Sequence, residues 1–296
     1  MRGPAALPPA QTWLPLVARA LEEDVGPGDI TSALVIPAEQ QGVGVIEARA
    51  PILVCGLELA RAVFAALDPE LSFERCAAEG ERADAGSVIA RLRGAMRPLL
   101  AGERAALNFL MRLCGVATHT RRFVDAVAGT GASILDTRKT LPGWRTLDKY
   151  ATAVGGALNH RTGLYDGILL KDNHVALAGG VAQAVKAARA GRADHLRIQV
   201  EVESLADALA AVDAGADSLL LDNMSLDAIR EVADRLRERV LLEVSGGVRL
   251  ENVRRIAETG VQRISIGALT HSAPAADVAL EIELGPGASR RGGAPA

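Results

Sequence analysis

The sequence predicts an α/β protein with two domains, one built on a parallel barrel and a separate N-terminal α+β domain. Short apolar runs alternate with amphipathic helical stretches after residue 133, which is typical of a parallel sheet. Each of these runs ends in a polar residue or a glycine. Before that point, strand candidates alternate apolar and polar residues, as half-buried antiparallel strands do.

The N-terminal domain is predicted over residues 12–115. Its helical candidates show the 3.6-residue period, and its strand candidates alternate with a period of two. In chain order, we predict a helix at 13–22, a strand at 43–48, a helix at 57–67, strands at 71–76 and 87–92, and a helix over about 98–128. Gly115 is a candidate break in that last helix. Residues 277–284 alternate again, which predicts a strand that returns to this domain.

The barrel domain is predicted over residues 116–276. Its six apolar runs lie at 133–135, 167–170, 196–202, 218–221, 240–244 and 263–266. Helical patterns lie between them at 181–190, 205–214, 226–236 and 250–258. Gly191, Gly215 and Gly260 follow three of these patterns and are interpreted as C-cap glycines.

The ends of the six runs carry residues with useful chemistry. These residues are Asp136, Lys171, Glu201, Asp222, Ser245 and Gly267. Ligands of α/β proteins bind at the carboxyl ends of parallel strands, and a barrel gathers all of those ends around one mouth. The pattern therefore favours a barrel, with an open doubly wound sheet as the alternative.

Composition excludes several classes of protein. The chain has 296 residues and a net charge of −3, so no general attraction to nucleic acid is expected. Its three cysteines are scattered, which argues against a disulfide framework and for a cytoplasmic location. No apolar run approaches the ~20 residues of a membrane span. Residues 1–11, rich in Pro and Ala, and residues 285–296, rich in Gly and Arg, are predicted to be a disordered lead-in and a disordered tail.

The distribution of lysine points to a site for an anionic small molecule. Lys and Arg together number 33, and only four are lysine: Lys139, Lys149, Lys171 and Lys186. Because Arg is the usual cation of this chain, a retained Lys suggests a need for a compact point charge. Lys139 and Lys171 lie in dense polar clusters at apparent strand ends. Such clusters are costly to desolvate unless an anion binds there.

The cationic residues allow two interpretations. Arg138, His160 and Arg161, with Arg104 from the long helix, suit a planar dicarboxylate, because Arg presents paired donors that match a carboxylate. Ordinary surface salt bridges are the alternative. Lys139 and Lys171 suit the phosphates of a second ligand, whereas a Schiff-base lysine at a barrel strand end is the rival role.

Two further groups of residues complete the candidate site. Glu201 and Asp222 suit Mg²⁺ or sugar hydroxyls, and helix caps or salt bridges are the alternative. Ser245-Gly246-Gly247 and Ile266-Gly267-Ala268 follow the last two strands, where backbone N–H groups commonly bind phosphate. Simple turns would also explain these glycines.

These residues occur in motifs that resemble those of the quinolinate phosphoribosyltransferases, also called nicotinate-nucleotide pyrophosphorylases (carboxylating). The similarity spans about residues 22–272. The motifs read EDVGPGDITS from Glu23, ERAALNFL from Glu103, LDTRKT from Leu135, NHR from Asn159, LKDNH from Leu170, LDN from Leu221, SGG from Ser245 and GALTHS from Gly267. This sequence departs from the usual pattern at Leu141, Ala157 and His119, none of which is a proposed charged ligand.

The resemblance implies an incomplete parallel α/β barrel of about six strands and an N-terminal α+β sandwich domain. It implies phosphoribosyl transfer from 5-phosphoribosyl 1-pyrophosphate to quinolinate with decarboxylation, in de novo NAD biosynthesis. It also implies a Mg²⁺ cofactor and a homodimer, with higher oligomers left open, in which one subunit's N-terminal domain covers the partner's barrel mouth.

Carried over position by position, the resemblance implies a role for each motif residue. Arg104 from the neighbouring subunit, Arg138, His160 and Arg161 are expected to bind quinolinate. Thr137 is expected to be a substrate-binding residue. Lys139, Lys171, Glu201 and Asp222 are expected to be catalytic and to contact phosphoribosyl pyrophosphate and Mg²⁺, directly or through water. The expected 5′-phosphate cradle consists of Ser245, Gly246, Gly247, Ile266, Gly267 and Ala268.

Three other functions remain as alternatives at this point. A relative within the same fold would use another acceptor, such as nicotinate. A barrel lyase would form a Schiff base on one of the lysines. A binding protein without catalysis would hold the ligands and release no pyrophosphate.

Overall fold

The computed structural model describes residues 5–192 and 196–283. The chain divides into two compact units, one formed by Met1–Thr118 with Pro274–Ala296 and the other by His119–Ala273. Residues 5–11, expected to be disordered, lead into a 3₁₀ turn at Ala10–Thr12, where the Trp13 indole donates to the Pro8 carbonyl. The predicted tail, 285–296, lies outside the described residues.

The secondary structure follows the alternation that the sequence predicts. The helices are α1 Leu14–Asp24, α2 Ile30–Val35, α3 Leu57–Leu67, α4 Met96–Ala126, α5 Arg145–Val154, α6 Asp172–Leu177, α7 Val181–Gly191, α8 Leu205–Asp213, α9 Leu226–Leu236, α10 Leu250–Ala257 and α11 Ala268–His271. The strands are β1 Gln41–Ala48, β2 Ile52–Leu53, β3 Ser72–Arg75, β4 Arg82–Ala83, β5 Val88–Ala95, β6 Ser133–Leu135, β7 Ile168–Leu170, β8 Ile198–Val202, β9 Ser218–Asp222, β10 Leu241–Ser245, β11 Arg263–Ser265 and β12 Val278–Glu283.

The N-terminal unit is α+β, with the antiparallel strands that the alternation predicts. Its main sheet has the order β12-β1-β5-β3, and β12 is the predicted returning strand. The start of α4 packs on β1, since a side chain at Gly44 would come within 3.2 Å of Leu99. Helix α3 packs on α4, because a side chain at Gly102 would come within 2.9 Å of Phe64.

Two glycines behave differently from the sequence-based expectation. Helix α4 is continuous through Gly115, which was a candidate break. A Cβ at Gly115 would lie 2.2 Å from the Pro274 carbonyl oxygen, so the glycine serves a close approach and not a break. Gly191 is the last residue of α7, whereas Gly215 and Gly260 have positive φ and end their helices as predicted.

The second unit contains the predicted six-stranded parallel sheet. Its strand order is β6-β11-β10-β9-β8-β7, so the first strand in the chain pairs with the last. That cyclic order is the order of a barrel. Among the described residues β6 makes no ladder with β7, which leaves the ring open at that position. The prediction of an incomplete barrel is confirmed, and the open doubly wound sheet is not.

The strands of this sheet separate an apolar face from a polar face, because successive side chains point to opposite sides. On β8, β9 and β10, one set of alternate residues joins a buried core with the helices: Val200, Val202, Leu219, Leu221, Leu242 and Val244. The other set includes Gln199, Glu201, Leu220, Asp222, Glu243 and Ser245. Ser204 and Ser225 are the N-caps of helices α8 and α9, and their hydroxyls accept hydrogen bonds from backbone N–H groups of the first turn.

Candidate active site

A cavity of about 880 Å³ lies in the barrel unit, at the carboxyl ends of its strands. Every predicted site residue of that unit lines it: Thr137, Arg138, Lys139, His160, Arg161, Lys171, Glu201, Asp222, Ser245, Gly246, Gly247, Ile266, Gly267 and Ala268. The structure therefore brings together side chains and backbone from the ends of all six strands. Their convergence follows from the parallel, cyclic strand order, since each strand ends at the same edge.

Arg104 is the one predicted site residue in the other unit. It lies on α4, its side chain is 57% exposed, and its guanidinium is 4.0 Å from the Glu103 carboxylate. A pair at that distance on an exposed surface contributes little to stability. The predicted contact of Arg104 with a ligand of the neighbouring subunit stays a prediction.

The loop after β6 presents Lys139 to the cavity. Its backbone is held at both ends: the Lys139 N–H donates to the Thr137 hydroxyl at 3.0 Å, and the Lys139 carbonyl accepts from the Thr270 hydroxyl at 2.7 Å. The side chain passes directly over Gly267, where an added Cβ would lie 2.8 Å from the Lys139 Cδ. Gly267 thus gives the lysine its path, which is a second reason for a glycine besides access to a phosphate.

Arg138 and Arg161 form a like-charged pair in a half-buried setting. Burial, together with the charge of Arg138, lowers the pKa of Arg161 from its ordinary value, while Asp166 opposes the shift. A guanidinium nonetheless stays charged. Two such cations held near each other repel, and a bound anion would remove that repulsion. This electrostatic tension supports the predicted anion site.

A buried ion pair fixes the backbone beside His160. Asp136 is fully buried, and its Oδ1 accepts from the Lys149 ammonium at 2.6 Å and from the His160 N–H at 2.8 Å. Its Oδ2 accepts from Thr152 at 3.1 Å and Asn159 at 2.6 Å. The Lys149 ammonium also donates to the His160 carbonyl at 2.8 Å. Asp136 was predicted as a strand-end residue of the site, but its carboxylate is used inside the protein.

The ring of His160 has protein partners at both nitrogens. Its Nδ1 accepts the Arg161 N–H at 2.7 Å, and its Nε2 lies 3.0 Å from the Gln199 amide oxygen. The same Nε2 lies 3.4 Å from Oε1 of Glu243. His160 was expected to bind quinolinate, but in the structure both of its ring nitrogens have partners within the protein.

Lys171 and Glu201 form an ion pair on neighbouring strand ends. The ammonium lies 3.4 Å from the Glu201 carboxylate, and the lysine side chain is 48% exposed. The exposure keeps the ammonium accessible to a ligand in the cavity. The close carboxylate gives the lysine a partner when no ligand is bound.

Asp222 is held by two neighbours. Its Oδ1 accepts from the Ser245 hydroxyl at 2.5 Å, and its Oδ2 accepts from the Asn223 amide at 2.7 Å. Asn223 has a positive φ of 52°, which is uncommon for a residue with a side chain. Ser245 was predicted as part of the phosphate cradle, and its hydroxyl here donates a hydrogen bond to Asp222.

Gly246 and Gly247 form a tight turn, and the position of Gly246 has no room for a side chain. Their φ values are 89° and 60°, and a Cβ at Gly246 would lie 2.2 Å from the Asn223 amide oxygen. Their backbone N–H groups make no hydrogen bond to any described residue. Free N–H groups in such a turn form a concave site for an anion.

Sequence reasoning missed several residues of the cavity. Glu243, Asn223, Arg249 and His271 also line it. Glu243 had a detectable signal, because it lies two residues before Ser245 and so shares its face of β10. The role of Lys149 had no such signal, because its partner Asp136 comes from another element.

Comparison with known proteins identifies the family. The family "Quinolinate phosphoribosyl transferase" matches in both of its parts, with the N-terminal domain at residues 29–114 and the C-terminal domain at residues 116–281. The nicotinate-nucleotide pyrophosphorylase [carboxylating] of Mycobacterium leprae is 41% identical over 90% of this chain and 95% of its own length. The chain belongs to the quinolinate phosphoribosyl transferase family.

Further proteins of the quinolinate phosphoribosyl transferase family are also similar to this chain over most of its length. Quinolinate phosphoribosyltransferase [decarboxylating] 1 of Nicotiana glauca is 35% identical over 93% of this chain and 85% of its own length. The structure of the nicotinate-nucleotide pyrophosphorylase from Francisella tularensis superimposes with a TM-score of 0.90 at 35% identity, covering 96% of this chain and 100% of that chain. The resemblance and fold predicted from sequence are thus confirmed.

Proposed function

We propose that this chain transfers the phosphoribosyl group of 5-phosphoribosyl 1-pyrophosphate to quinolinate, with decarboxylation, giving nicotinate mononucleotide, pyrophosphate and CO₂ for NAD biosynthesis. The observation that carries the proposal is a single cavity lined by several cationic side chains, among them Arg138, Lys139, Arg161 and Lys171, and by the glycine turns after two strands. Two anionic substrates must meet in one pocket, and this cavity has the charge for both.

Quinolinate is a planar pyridine dicarboxylate, and the paired guanidiniums suit it. Arg138 and Arg161 each present two parallel N–H donors, which fix the orientation of a carboxylate as well as bind it. Orientation matters because the ring nitrogen must face the sugar. His160 lines the same part of the cavity, and we propose that Arg104 of a neighbouring subunit completes it.

Phosphoribosyl pyrophosphate is proposed to occupy the remaining length of the cavity. The ammonium groups of Lys139 and Lys171 are point charges suited to the pyrophosphate. The turn at Gly246 and Gly247 offers free N–H groups to the 5′-phosphate. Ser245, Ile266, Gly267 and Ala268 line the cavity beside them, and Thr137 supports Lys139.

Glu201 and Asp222 fit a role in holding Mg²⁺, though not as a complete ligand set. No group of three or more candidate metal ligands exists among the described residues. Mg²⁺ commonly takes one or two carboxylates and fills its shell with water and substrate phosphates, and two carboxylates at adjacent strand ends match that habit. When bound, the ion would neutralise charge on the pyrophosphate.

The residues of the cavity suit a reaction driven by electrostatics. The pyridine nitrogen attacks C1 of the ribose while the C1–O bond to pyrophosphate breaks, and lysine charges offset the charge on the leaving group. The product is a pyridinium. Loss of the C2 carboxylate as CO₂ then leaves an electron pair on C2 beside the positive nitrogen, and a proton replaces the carboxylate. This sequence needs no general base from the protein.

Incubation with quinolinate, phosphoribosyl pyrophosphate and Mg²⁺ tests the proposal. We expect nicotinate mononucleotide, with pyrophosphate and CO₂ released in equal amounts. Turnover of nicotinate without CO₂ would indicate a different acceptor. A carbonyl adduct trapped on lysine by borohydride would indicate a lyase, and thermal stabilisation by the substrates without pyrophosphate release would indicate a binding protein.

Substitution of the first cationic cluster gives a direct prediction. Arg138→Ala and Lys139→Ala should each lower kcat/KM by about 10²-fold or more, the usual cost of removing a charged group that stabilises a transition state. Both side chains lie at the cavity and neither is in the buried core, so the fold should survive. Near-normal turnover by either variant, with an unchanged circular dichroism spectrum, would contradict the assignment.

We also propose a cytoplasmic homodimer, in which the partner's N-terminal unit covers the cavity. Large apolar side chains are exposed on both units, including Leu34 at 80% and Val35 at 66% on α2, and Leu164 at 75% and Tyr165 at 77% near Arg161. Apolar surface of this kind commonly marks an interface. Cys55, Cys76 and Cys114 are free thiols, which suits a reducing compartment. Within the described residues, no helix has the length and apolar character to cross a bilayer.

A further inference from the structure

Glu243 is a buried carboxylate that the proposed function does not use. It lies on β10, one layer below Ser245, and its side chain is 1% exposed. Its Oε1 lies 3.4 Å from Nε2 of His160 and has no hydrogen bond among the described residues. A buried carboxylate with an unmatched oxygen is costly. Its presence in a barrel interior therefore requires an explanation.

The carboxylate fixes the orientation of the neighbouring amide. The Gln199 Nε2 donates to the Glu243 Oε2 at 3.1 Å. An ionised carboxylate can only accept hydrogen bonds, so the amide nitrogen of Gln199 must face Glu243. The amide oxygen then faces the other way, and there it lies 3.0 Å from Nε2 of His160.

The amide in turn fixes the ring of His160. An amide oxygen accepts only, so the His160 Nε2 must carry the proton in this contact. The Arg161 N–H points at Nδ1 from 2.7 Å, which requires Nδ1 to be the acceptor. Both contacts select the same tautomer, and together they fix the plane of the ring.

We propose that Glu243 and Gln199 are positioning residues, which hold His160 as the Nε2–H tautomer and set the shape of the dicarboxylate end of the cavity. The tautomer part stands on these contacts alone, and the effect on quinolinate rests on the proposed function. The buried carboxylate acts through Gln199 and His160, and needs no contact with the substrate. The Asp136–Lys149 pair fixes the backbone of His160, and Glu243 fixes its ring.

Glu243→Gln is the sharpest variant because it keeps the size of the side chain. If its amide oxygen faces Gln199, its NH₂ group faces His160 Nε2. If it faces the other way, Gln199 must turn, and the NH₂ group of Gln199 faces His160 Nε2. In the first arrangement the NH₂ group repels Nε2–H from the position that Oε1 held at 3.4 Å, while the Gln199 oxygen still accepts from Nε2. In the second arrangement a donor replaces that acceptor, so both arrangements weaken the wild-type tautomer.

Nitrogen-15 NMR of the imidazole rings reads the tautomer directly, and the His160 signals are assigned by their loss in His160→Gln. We expect Nε2–H in the wild type and a smaller Nε2–H fraction in Glu243→Gln, where the Arg161 N–H still faces Nδ1. The KM for quinolinate should rise about tenfold, roughly 1.4 kcal/mol of binding, and the KM for phosphoribosyl pyrophosphate should stay within about twofold. Glu243→Asp keeps an acceptor-only group and should restore the tautomer.

Leu242→Ala is the matched control, because Leu242 is the neighbour on β10 that faces the apolar core. It should lower the melting temperature without changing the tautomer. An unchanged tautomer in Glu243→Gln, or Nδ1–H in the wild type, would overturn the proposal. If Glu243→Gln does not fold, Glu243→Met replaces it and should likewise release the ring. Failure of the protein to turn over quinolinate would overturn the proposed function, and the NMR result would still test this one.

Discussion

Lys149 shows how one residue can be structural in a chain where lysine is rare. Two of the four lysines line the cavity, but Lys149 is buried, and its ammonium joins Asp136 to the His160 carbonyl. Rarity of lysine identified a set of residues with special roles. It did not separate Lys139 and Lys171, which line the cavity, from Lys149, which holds the backbone of His160.

Lys149→Met should destabilise the protein by about 3–5 kcal/mol, because Asp136 would remain as a buried carboxylate without its cation. Chemical unfolding monitored by circular dichroism measures the change. Lys186→Met is the matched control, since Lys186 is exposed on α7, and it should change stability by less than about 0.5 kcal/mol. Equal stabilities for the two variants would show that the buried pair contributes nothing.

At the scale of elements, the strands of the barrel were predictable and two helices were not. The runs at β6 to β11 are apolar, and the last four follow one another at intervals of about one βα unit. The side chains that pack against the helices keep these runs apolar. Helix α5 buries Asp148, Lys149 and Thr152 together with Leu147, Tyr150 and Ala151, so the usual amphipathic pattern is obscured. Helix α6 has no fully buried residue, and its Leu177 is 90% exposed. Its Val175 packs on the core, but that one contact is too little to impose a period on so short a helix.

Helix α4 provides a prediction about the N-terminal unit. Gly115→Ala should destabilise the protein by about 1–3 kcal/mol, since the new methyl group would meet the Pro274 carbonyl at 2.2 Å. Thermal unfolding compares it with Gly191→Ala, at a helical glycine with open space around it. That control should be neutral or stabilise by up to about 1 kcal/mol, through helix propensity. A tolerated Gly115→Ala would mean that the returning segment shifts freely.

At the scale of the whole molecule, the proposed dimer makes a prediction that a monomer does not. If Arg104 serves the neighbouring subunit, then Arg104→Ala and Lys139→Ala are defects in different halves of one shared site. In a mixed dimer, one site receives an intact Arg104 from the partner and keeps its own Lys139. Co-expression with separate tags should therefore recover about a quarter of wild-type activity for random pairing.

Co-expression of Arg138→Ala with Lys139→Ala is the control for this experiment. Both residues belong to the same unit, so each site of a mixed dimer lacks one of the two side chains. Activity should stay at background. Background activity in the Arg104 mixture as well would count against a site shared between subunits.

The amino-acid sequence was sufficient to predict the fold class, the family and more than half of the cavity lining. Periodicity places strands, and the parallel order brings their ends to one edge, so residues at those ends meet whatever the details of packing. The predicted motif residues between Thr137 and Ala268 line the cavity at that edge of the sheet.

The hydrogen bonds and ion pairs that those residues form became clear from the three-dimensional structure. Asp136 and Asp222 look alike in sequence as strand-end carboxylates, yet one is fully buried on Lys149 and the other lines the cavity. His160 looks like a ligand donor, yet its ring nitrogens face Arg161 and Gln199. Many hydrogen-bond partners come from elements distant in sequence, so the sequence alone does not specify which donor pairs with which acceptor.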